Sequence, residues 1–266
     1  MDREAIVSRL VTRGLGRELL LLDEVDSTNA LAARMLAEGR LSDGMAIIAG
    51  RQTAGKGRFN RAWHSAGGLC LSVAVAAEGQ AHALGPVTLA VGVAVARGLA
   101  EACGGGFFLK YPNDIFSAKR DGKKVGGILA ELKPRGEGKP PMLIIGVGIN
   151  VEQEFFPENL AETAVSLRQL GFSASREEVA VAVLNSLERQ LDGFKNGGLA
   201  ALLGQWREMD CTLGRKVSVK NISSAVEGVA RGIDDAGALL VETADGPRRV
   251  TAGDILWGNG SDASCD

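Results

Sequence analysis

Residues 86–102, PVTLAVGVAVARGLAEA, are apolar on most faces. A helix of that kind is buried rather than half-exposed, so the rest of the chain must supply cover for it. Gly92 and Gly98 allow close packing against it, and Gly104-Gly105-Gly106 stop it. The longest apolar tract, residues 84–96, is too short to span a membrane and ends at Arg97. Around this helix lie short apolar runs bounded by turn residues: 19–22, 45–49, 69–76, 107–109, 125–132 and 142–145. Their length and boundaries read as strands. Pro112 weakens pairing after Lys110, with Ile115-Phe116 resuming that strand and a polar hairpin at 118–124 turning the chain.

Residues 1–18 read as a short helix and turn, and three further helical stretches are expected. Ser27 or Thr28 caps residues 30–38 and Gly39 ends them. Ser175 with Glu178 forms a capping box, followed by an apolar stripe of Val179, Val183, Leu184, Leu187 and Leu191. Residues 198–209 read as one more helix. Beyond a boundary near 210–213, short alternating runs separated by Asp235-Ala236-Gly237 and Asp245-Gly246 suggest a small antiparallel barrel. The expected architecture is α/β (α+β). A mixed, largely antiparallel sheet with flanking helices occupies residues 1–211, a small SH3-like barrel 212–258, and a disordered tail 259–266.

The chemistry concentrates in residues 50–65, GRQTAGKGRFNRAWHS. Glycines at 50, 55 and 57 accompany Arg51, Lys56, Arg58 and Arg61, and no Asp or Glu occurs from Gly44 to Ala77. Glycine lets backbone N–H groups approach an anion and the cations neutralise it, so a phosphate or carboxylate is the natural guest. Gly50, Gly55 and Lys56 fit the nucleoside-triphosphate loop G-x-x-x-x-G-K-[ST], but Gly57 stands where the Mg²⁺-binding hydroxyl belongs, and the following residues start a helix poorly. A P-loop fold is therefore rejected. Gly146-x-Gly148 begins a dinucleotide fingerprint that fails at Val151, so tight packing or a bulge competes with a Rossmann reading.

Composition excludes several classes. A formal net charge of -2 argues against a general nucleic-acid binder. Cys70, Cys103, Cys211 and Cys265 are far apart, and only His64 and His82 stand beside them, which argues against structural zinc and fits a reducing compartment. The N-terminus lacks the apolar core of a signal peptide, so a cytoplasmic protein is expected.

Four stretches in order resemble one family: Ser27-Thr28-Asn29, the GRQTAGKGRFNRAW loop, Lys110-Tyr111-Pro112-Asn113-Asp114 with Lys124-Val125-Gly126-Gly127-Ile128-Leu129, and Gly146-Val147-Gly148-Ile149-Asn150. At these separations they look like a biotin–protein ligase, over nearly the whole chain. The resemblance implies two-step chemistry. Biotin's carboxylate attacks the α-phosphate of ATP, and the biotinyl-5′-adenylate then biotinylates a lysine of a biotin carboxyl carrier domain. By the same resemblance Lys124 is the main catalytic cation, with Arg58. Biotin-binding positions are Ser27, Thr28, Asn29, Gln52, Lys56, Gly57, Arg58 and Lys124. Nucleotide-binding positions are Gly55, Lys56, Arg58, Trp63, Asn113, Asp114, Lys124 and Asn150. ATP and biotin are the implied substrates, and Mg²⁺ comes with ATP, near Asp114, without an identified ligand set.

The chain departs from the family pattern at Lys56, at Phe59-Asn60 and at Tyr111, where many members have arginine, Arg-Gly and tryptophan. Residues 55–62 are expected to be mobile when empty and to order over the ligand. Many members dimerise through a sheet edge, so a homodimer is implied, although the residues themselves leave this open. Only 26 residues precede Ser27, too few for a three-helix DNA-binding domain, so sequence-specific DNA recognition is not expected. The rivals are a lipoate–protein ligase, and a non-catalytic nucleotide or nucleic-acid binding module that uses Phe59 and Trp63 for stacking.

Overall fold

The structure, a computed structural model, describes residues 1–77, 83–118, 122–220, 225–251 and 253–257. The middle of the expected hairpin (119–121), the tail, His82 and Cys265 lie outside these residues. In chain order the elements of the main domain begin with α1 (Arg3–Val7), β1 (Leu19–Val25), α2 (Thr28–Ala37), β2 (Ala46–Gln52), β3 (Leu69–Ala76) and α3 (Leu84–Cys103). They continue with β4 (Phe108–Lys110), β5 (Asp114–Phe116), β6 (Lys124–Lys133), β7 (Met142–Ile149), α4 (Glu158–Ala161), α5 (Arg176–Gly197) and α6 (Leu203–Met209). Five strands close the chain: β8 (Lys216–Lys220), β9 (Ala225–Ile233), β10 (Leu239–Thr243), β11 (Gly246–Val250) and β12 (Asp254–Trp257).

The first seven strands form one mixed sheet in the order β1-β2-β3-β7-β6-β5-β4. Only β1 and β2 run parallel, and every other neighbouring pair is antiparallel. The last five strands form a separate antiparallel sheet in the order β11-β10-β9-β8-β12. This is the expected mixed α+β class.

Alternation along two central strands divides the sheet into faces. On β3, Leu69, Leu71, Val73 and Val75 point into the large core, as do Leu143, Ile145, Val147 and Ile149 on β7. Side chains alternate across a strand, so the intervening residues face the other way. Each such buried aliphatic contributes about 1.5–3 kcal/mol. On the core face, α3 packs against α5. Added at Gly98, a Cβ would lie 2.8 Å from the Val183 Cα, so glycine sets that helix spacing. α3 is long and apolar enough to cross a membrane by length and composition alone, beyond what the 84–96 tract indicates, and most of it is buried in this core. The opposite face is only partly covered. There α2 places Ala32 and Met35 on Ile47, Ala74, Met142 and Ile144. Past Ile144 the same face of β7 continues as Gly146 and Gly148. The exchange of aliphatics for glycines marks where the small core ends and a cavity begins.

Two local expectations are corrected and one strand is added. Ile115-Phe116 does not resume the preceding strand. The chain reverses at Tyr111–Asn113, through a cis Tyr111–Pro112 bond, and β5 returns antiparallel with Lys110 opposite Asp114. Residues 198–209 are not one helix, because a 3₁₀ turn at Leu199–Ala201 ends at Leu202, where φ is -113°, and α6 starts after it. Strand β12, too short to announce itself by pattern, completes the C-terminal sheet by pairing with β8.

Candidate active site

Above Gly146 and Gly148 lies a cavity of about 470 Å³, within the range of small-molecule sites. One end is polar and neutral. Ser27 caps α2, its hydroxyl accepting from the Ala30 N–H, and this turn delivers Thr28 and Asn29 to the cavity. The Gln52 side-chain oxygen accepts the Thr28 N–H at 2.7 Å and stands 3.1 Å from the Thr28 hydroxyl. Ser65 fixes Gln52 from behind, its hydroxyl accepting the Gln52 N–H and donating to the Gln52 carbonyl. Asn29 donates to the Leu129 carbonyl and to the Glu131 carboxylate. Ser72 Oγ stands 2.6 Å from Asn29 Oδ1 and 2.7 Å from Thr28 Oγ1. A Cβ at position 146 would sit 2.5 Å from Asn29 Oδ1, so the Asn29 amide lies directly on the β7 backbone.

The other end is cationic. Lys124 opens β6, and its main chain is fastened on both sides, its N–H to the Thr163 carbonyl and its carbonyl to the Val165 N–H. Its ammonium is 2.7 Å from Asp114 and 5.7 Å from the Trp63 ring centroid. Trp63 packs against Gly148, where a Cβ would meet the indole at 2.5 Å. Arg58 donates to the Asn113 side-chain oxygen and to the carbonyl of Gly253, which lies between β11 and β12. The basic loop is itself a small hairpin: Lys56 bridges Ala62, the Gly57 N–H bonds the Arg61 carbonyl, and the Trp63 N–H bonds the Gly55 carbonyl. Its tip turns through Phe59 and Asn60 at φ 55° and 57°, a left-handed conformation that is costly for a bulky phenylalanine. Phe59 is 55% exposed, with the Arg58 and Arg61 guanidinium groups over its ring.

Ser27, Thr28, Asn29, Gln52, Lys56, Gly57, Arg58, Trp63, Asn113, Asp114, Lys124 and Asn150 all line this one cavity. Gly55 does not. It is buried behind Gln52, where a Cβ would lie 2.7 Å from the amide nitrogen, so it makes room for that side chain. Asn150 reaches the cavity wall with its amide already engaged: it donates to the Lys124 and Val165 carbonyls and accepts from Gln153. Lys123, beside Lys124, points elsewhere and bonds the Ala161 carbonyl. Among the described residues no group of three His, Cys, Asp or Glu side chains gathers to hold a metal ion. Asp114 is a carboxylate at the cationic end, and one or two carboxylates suffice for Mg²⁺ that arrives on phosphates.

Sequence reasoning passed over several lining residues. The Phe116 and Trp257 rings meet at a tilt of 58° with centroids 5.2 Å apart, and Lys110 and Arg215 lie over the indole at 4.3 and 4.2 Å. Trp257 brings the C-terminal sheet to the cavity wall. Its only sequence signal is a large aromatic near the end of a small domain. Cys70 also lines the cavity, but burial pushes its thiol up to about 12, so it serves as an apolar wall and not as a nucleophile. Tyr111, read from sequence as occupying an aromatic slot, has a second role. It is buried, and its hydroxyl bonds the Gly237 and Val250 carbonyls of the C-terminal sheet.

Comparison with known proteins agrees with this geometry. Residues 21–150 match the biotin/lipoate A/B protein ligase family, and residues 212–258 match the biotin protein ligase C-terminal domain. The chain is 33% identical over 265 residues to the biotin–[acetyl-CoA-carboxylase] ligase of Mycobacterium tuberculosis, covering 96% of this chain and 95% of that protein. It is 33% identical over 254 residues to the bifunctional ligase/repressor BirA of Bacillus subtilis, covering 94% of this chain and 77% of that protein. Among solved structures it resembles the biotin protein ligase of Aquifex aeolicus in complex with biotin and ATP. That match has a TM-score of 0.80 and 31% identity, and covers 92% of this chain and all of that one.

Proposed function

Because the chain belongs to the biotin/lipoate A/B protein ligase family, we propose that it is an ATP-dependent biotin–[acetyl-CoA-carboxylase] ligase. It joins biotin to AMP and then passes the biotinyl group to a lysine of a biotin carboxyl carrier domain. The observation that carries this reading is that a neutral polar end and a cationic end open into one cavity. Biotin needs both, because its ureido ring asks for donors and acceptors and its carboxylate asks for positive charge.

In the first step a carboxylate oxygen bonds the α-phosphorus of ATP and the bond to pyrophosphate breaks. Two anions must meet, so cations fixed where charge develops lower the barrier. Lys124 is assigned the leading role, since its backbone is clamped and its ammonium rests on Asp114, which can pass it to a phosphate. Arg58 is the second cation. Ser27, Thr28, Asn29 and Gln52 are assigned to the biotin ring. Lys56 and Gly57 are assigned to biotin's carboxylate side, and Trp63, Asn113 and Asn150 to the nucleotide. Mg²⁺ bound with the ATP phosphates supplies further charge neutralisation, and Asp114 would hold it. In the second step the acceptor amine attacks the acyl carbon and AMP leaves, with no enzyme nucleophile required.

The domain division is placed between residues 211 and 212. β1 is an outer strand of the large sheet, which supports a homodimer joined through that edge. A cytoplasmic location suits an enzyme whose substrate is a carboxylase.

The deciding experiment is biotin-dependent exchange of labelled pyrophosphate into ATP with Mg²⁺. Exchange that requires biotin and ignores lipoate is expected. Exchange with lipoate alone, or with neither acid, overturns the reading.

A further inference from the structure

Ser72 takes no part in the readings above, yet it sits at the centre of the most completely bonded part of the cavity. It is 1% exposed. On the sheet it stands in one row with Gly146 and Leu129, across β3, β7 and β6. Asn29 lies over the glycine of that row. Glu131, two residues further along β6, closes the row on the far side.

The protons in this row can be assigned by elimination. The Leu129 carbonyl and the Glu131 carboxylate only accept, so both bonds from Asn29 Nδ2 are donations, at 3.2 and 2.8 Å. That fixes the amide orientation and turns Oδ1 toward Ser72. Oδ1 has no proton, so the 2.6 Å contact is a donation from the Ser72 hydroxyl. Ser72 has one proton, and it is now used. Its oxygen nevertheless lies 2.7 Å from the Thr28 oxygen, a separation that requires a proton between them. Thr28 must therefore be the donor. Among the described residues the other acceptor within reach of that proton is Gln52 Oε1, 3.1 Å away, which also receives the Thr28 N–H. In either case the Thr28 proton is spent on a protein oxygen, so toward a ligand the Thr28 hydroxyl can only accept.

We infer that Glu131, Asn29 and Ser72 form a positioning chain that commits the Thr28 hydroxyl to act as a hydrogen-bond acceptor, so that this end of the cavity selects a ligand N–H. The inference rests on the biotin reading, where the N–H is that of the ureido ring. Gly146 is part of the same device, because any side chain there would displace the amide that relays the orientation.

Two ligands separate this from a merely structural role: biotin, and a carbamate analogue in which the relevant ring N–H is replaced by oxygen. The assay is pyrophosphate exchange on the full chain. The wild type should prefer biotin by more than about a hundredfold in kcat/KM, because a lone pair would face a lone pair in the analogue. In Ser72→Ala the Thr28 hydroxyl is released to rotate. The KM for biotin should rise about tenfold, which is about 1.4 kcal/mol. The KM for ATP should hold, and the preference for biotin over the carbamate should shrink about tenfold. Glu131→Leu, at a half-buried site whose carboxylate also pairs with Lys133, should shrink the preference in the same direction should Ser72→Ala fold poorly. Glu131→Gln keeps an acceptor for Asn29 and should restore most of the preference. An unchanged preference in Ser72→Ala or Glu131→Leu, with both ligands weakened equally, overturns the positioning chain and leaves the ligase reading standing. Absence of biotin-dependent exchange in the wild type overturns both.

Discussion

The two ends of the cavity are built on opposite plans. At the Thr28 end Thr28, Asn29 and Ser72 are buried and hydrogen-bonded to one another and to Glu131 and Gln52, and glycine is required beneath Asn29. At the Lys124 end Lys124 and Asp114 are about a quarter to a third exposed and held to each other by an ion pair beside the Trp63 ring, and the neighbouring loop turns through an unfavourable conformation. The difference teaches what each end is for. A neutral ring is recognised by hydrogen bonds whose directions must be fixed in advance, because leaving one unmade costs about 1–3 kcal/mol. A polyanion brings its own field, so its cations need only be within reach and provisionally paired.

The comparison breaks first at Lys124. Lys124→Ala should lower the exchange rate by at least about a hundredfold, the scale of losing one donor to a developing charge. Its thermal stability should change little, because a part-exposed ion pair contributes about 0–1 kcal/mol. A variant that loses stability and activity together would place Lys124 with the rigid end. Gly146→Ala should behave in the opposite way. Displacing the Asn29 amide should cost about 1–3 kcal/mol of stability by overpacking, read by denaturant melts, together with a raised KM for biotin and a nearly unaltered KM for ATP.

The hairpin at residues 55–62 sharpens the contrast in time. Limited proteolysis of this loop should slow severalfold when biotin and ATP are both present, and should not slow with ATP alone. Equal cleavage under all conditions would mean that the loop is already in its final form. Tyr111→Phe tests the junction between the two sheets. It removes the hydroxyl from two buried carbonyls, at about 1 kcal/mol of stability, with exchange retained in the folded fraction.

The smallest effect lies at the α2 entrance. Arg34, hydrogen-bonded to both carboxyl oxygens, holds the Asp26 carboxyl down at about 2, with the Ser27 N–H helping, against an ordinary value of 3.8. A depressed carboxyl stabilises the fold above its unfolded value, and that stability is lost as pH falls through the folded one. Arg34→Ala should therefore be less stable than wild type at pH 5 to 7, and the gap should close by about pH 2. Both side chains are about half exposed, so the gap should stay below about 1 kcal/mol.

The fold was largely legible because its strands and long helices carry strong apolar patterns, and the caps at Ser27 and Ser175 stand in plain view. The failures share a cause. The β4–β5 reversal, the broken 198–209 segment and β12 are each too short for periodicity to speak. Within the site, the sequence shows which side chains bear charge or hydroxyl groups, but not how a hydroxyl is turned. Ser72 and Glu131 have no local signature, because they act through Asn29 from strands far away in the chain. Trp257 reaches the cavity only because a second sheet docks there. Gly146 and Gly148 show in the sequence as a poor nucleotide fingerprint and as one of the four family stretches, and their physical reason is the bulk of Asn29 and Trp63 lying on them.

The seat of Asn29 on Gly146 also limits how this chain can change over generations. Neither residue can be replaced alone without harm. A larger residue at 146 collides with the amide, and a smaller one at 29 leaves Ser72 and Glu131 facing an empty space. Single-step walks through sequence space therefore meet a valley here. Substitutions at 29 and 146 should be tolerated chiefly in pairs, which a combinatorial library varying only these two codons would reveal as an excess of surviving doubles over what the singles allow.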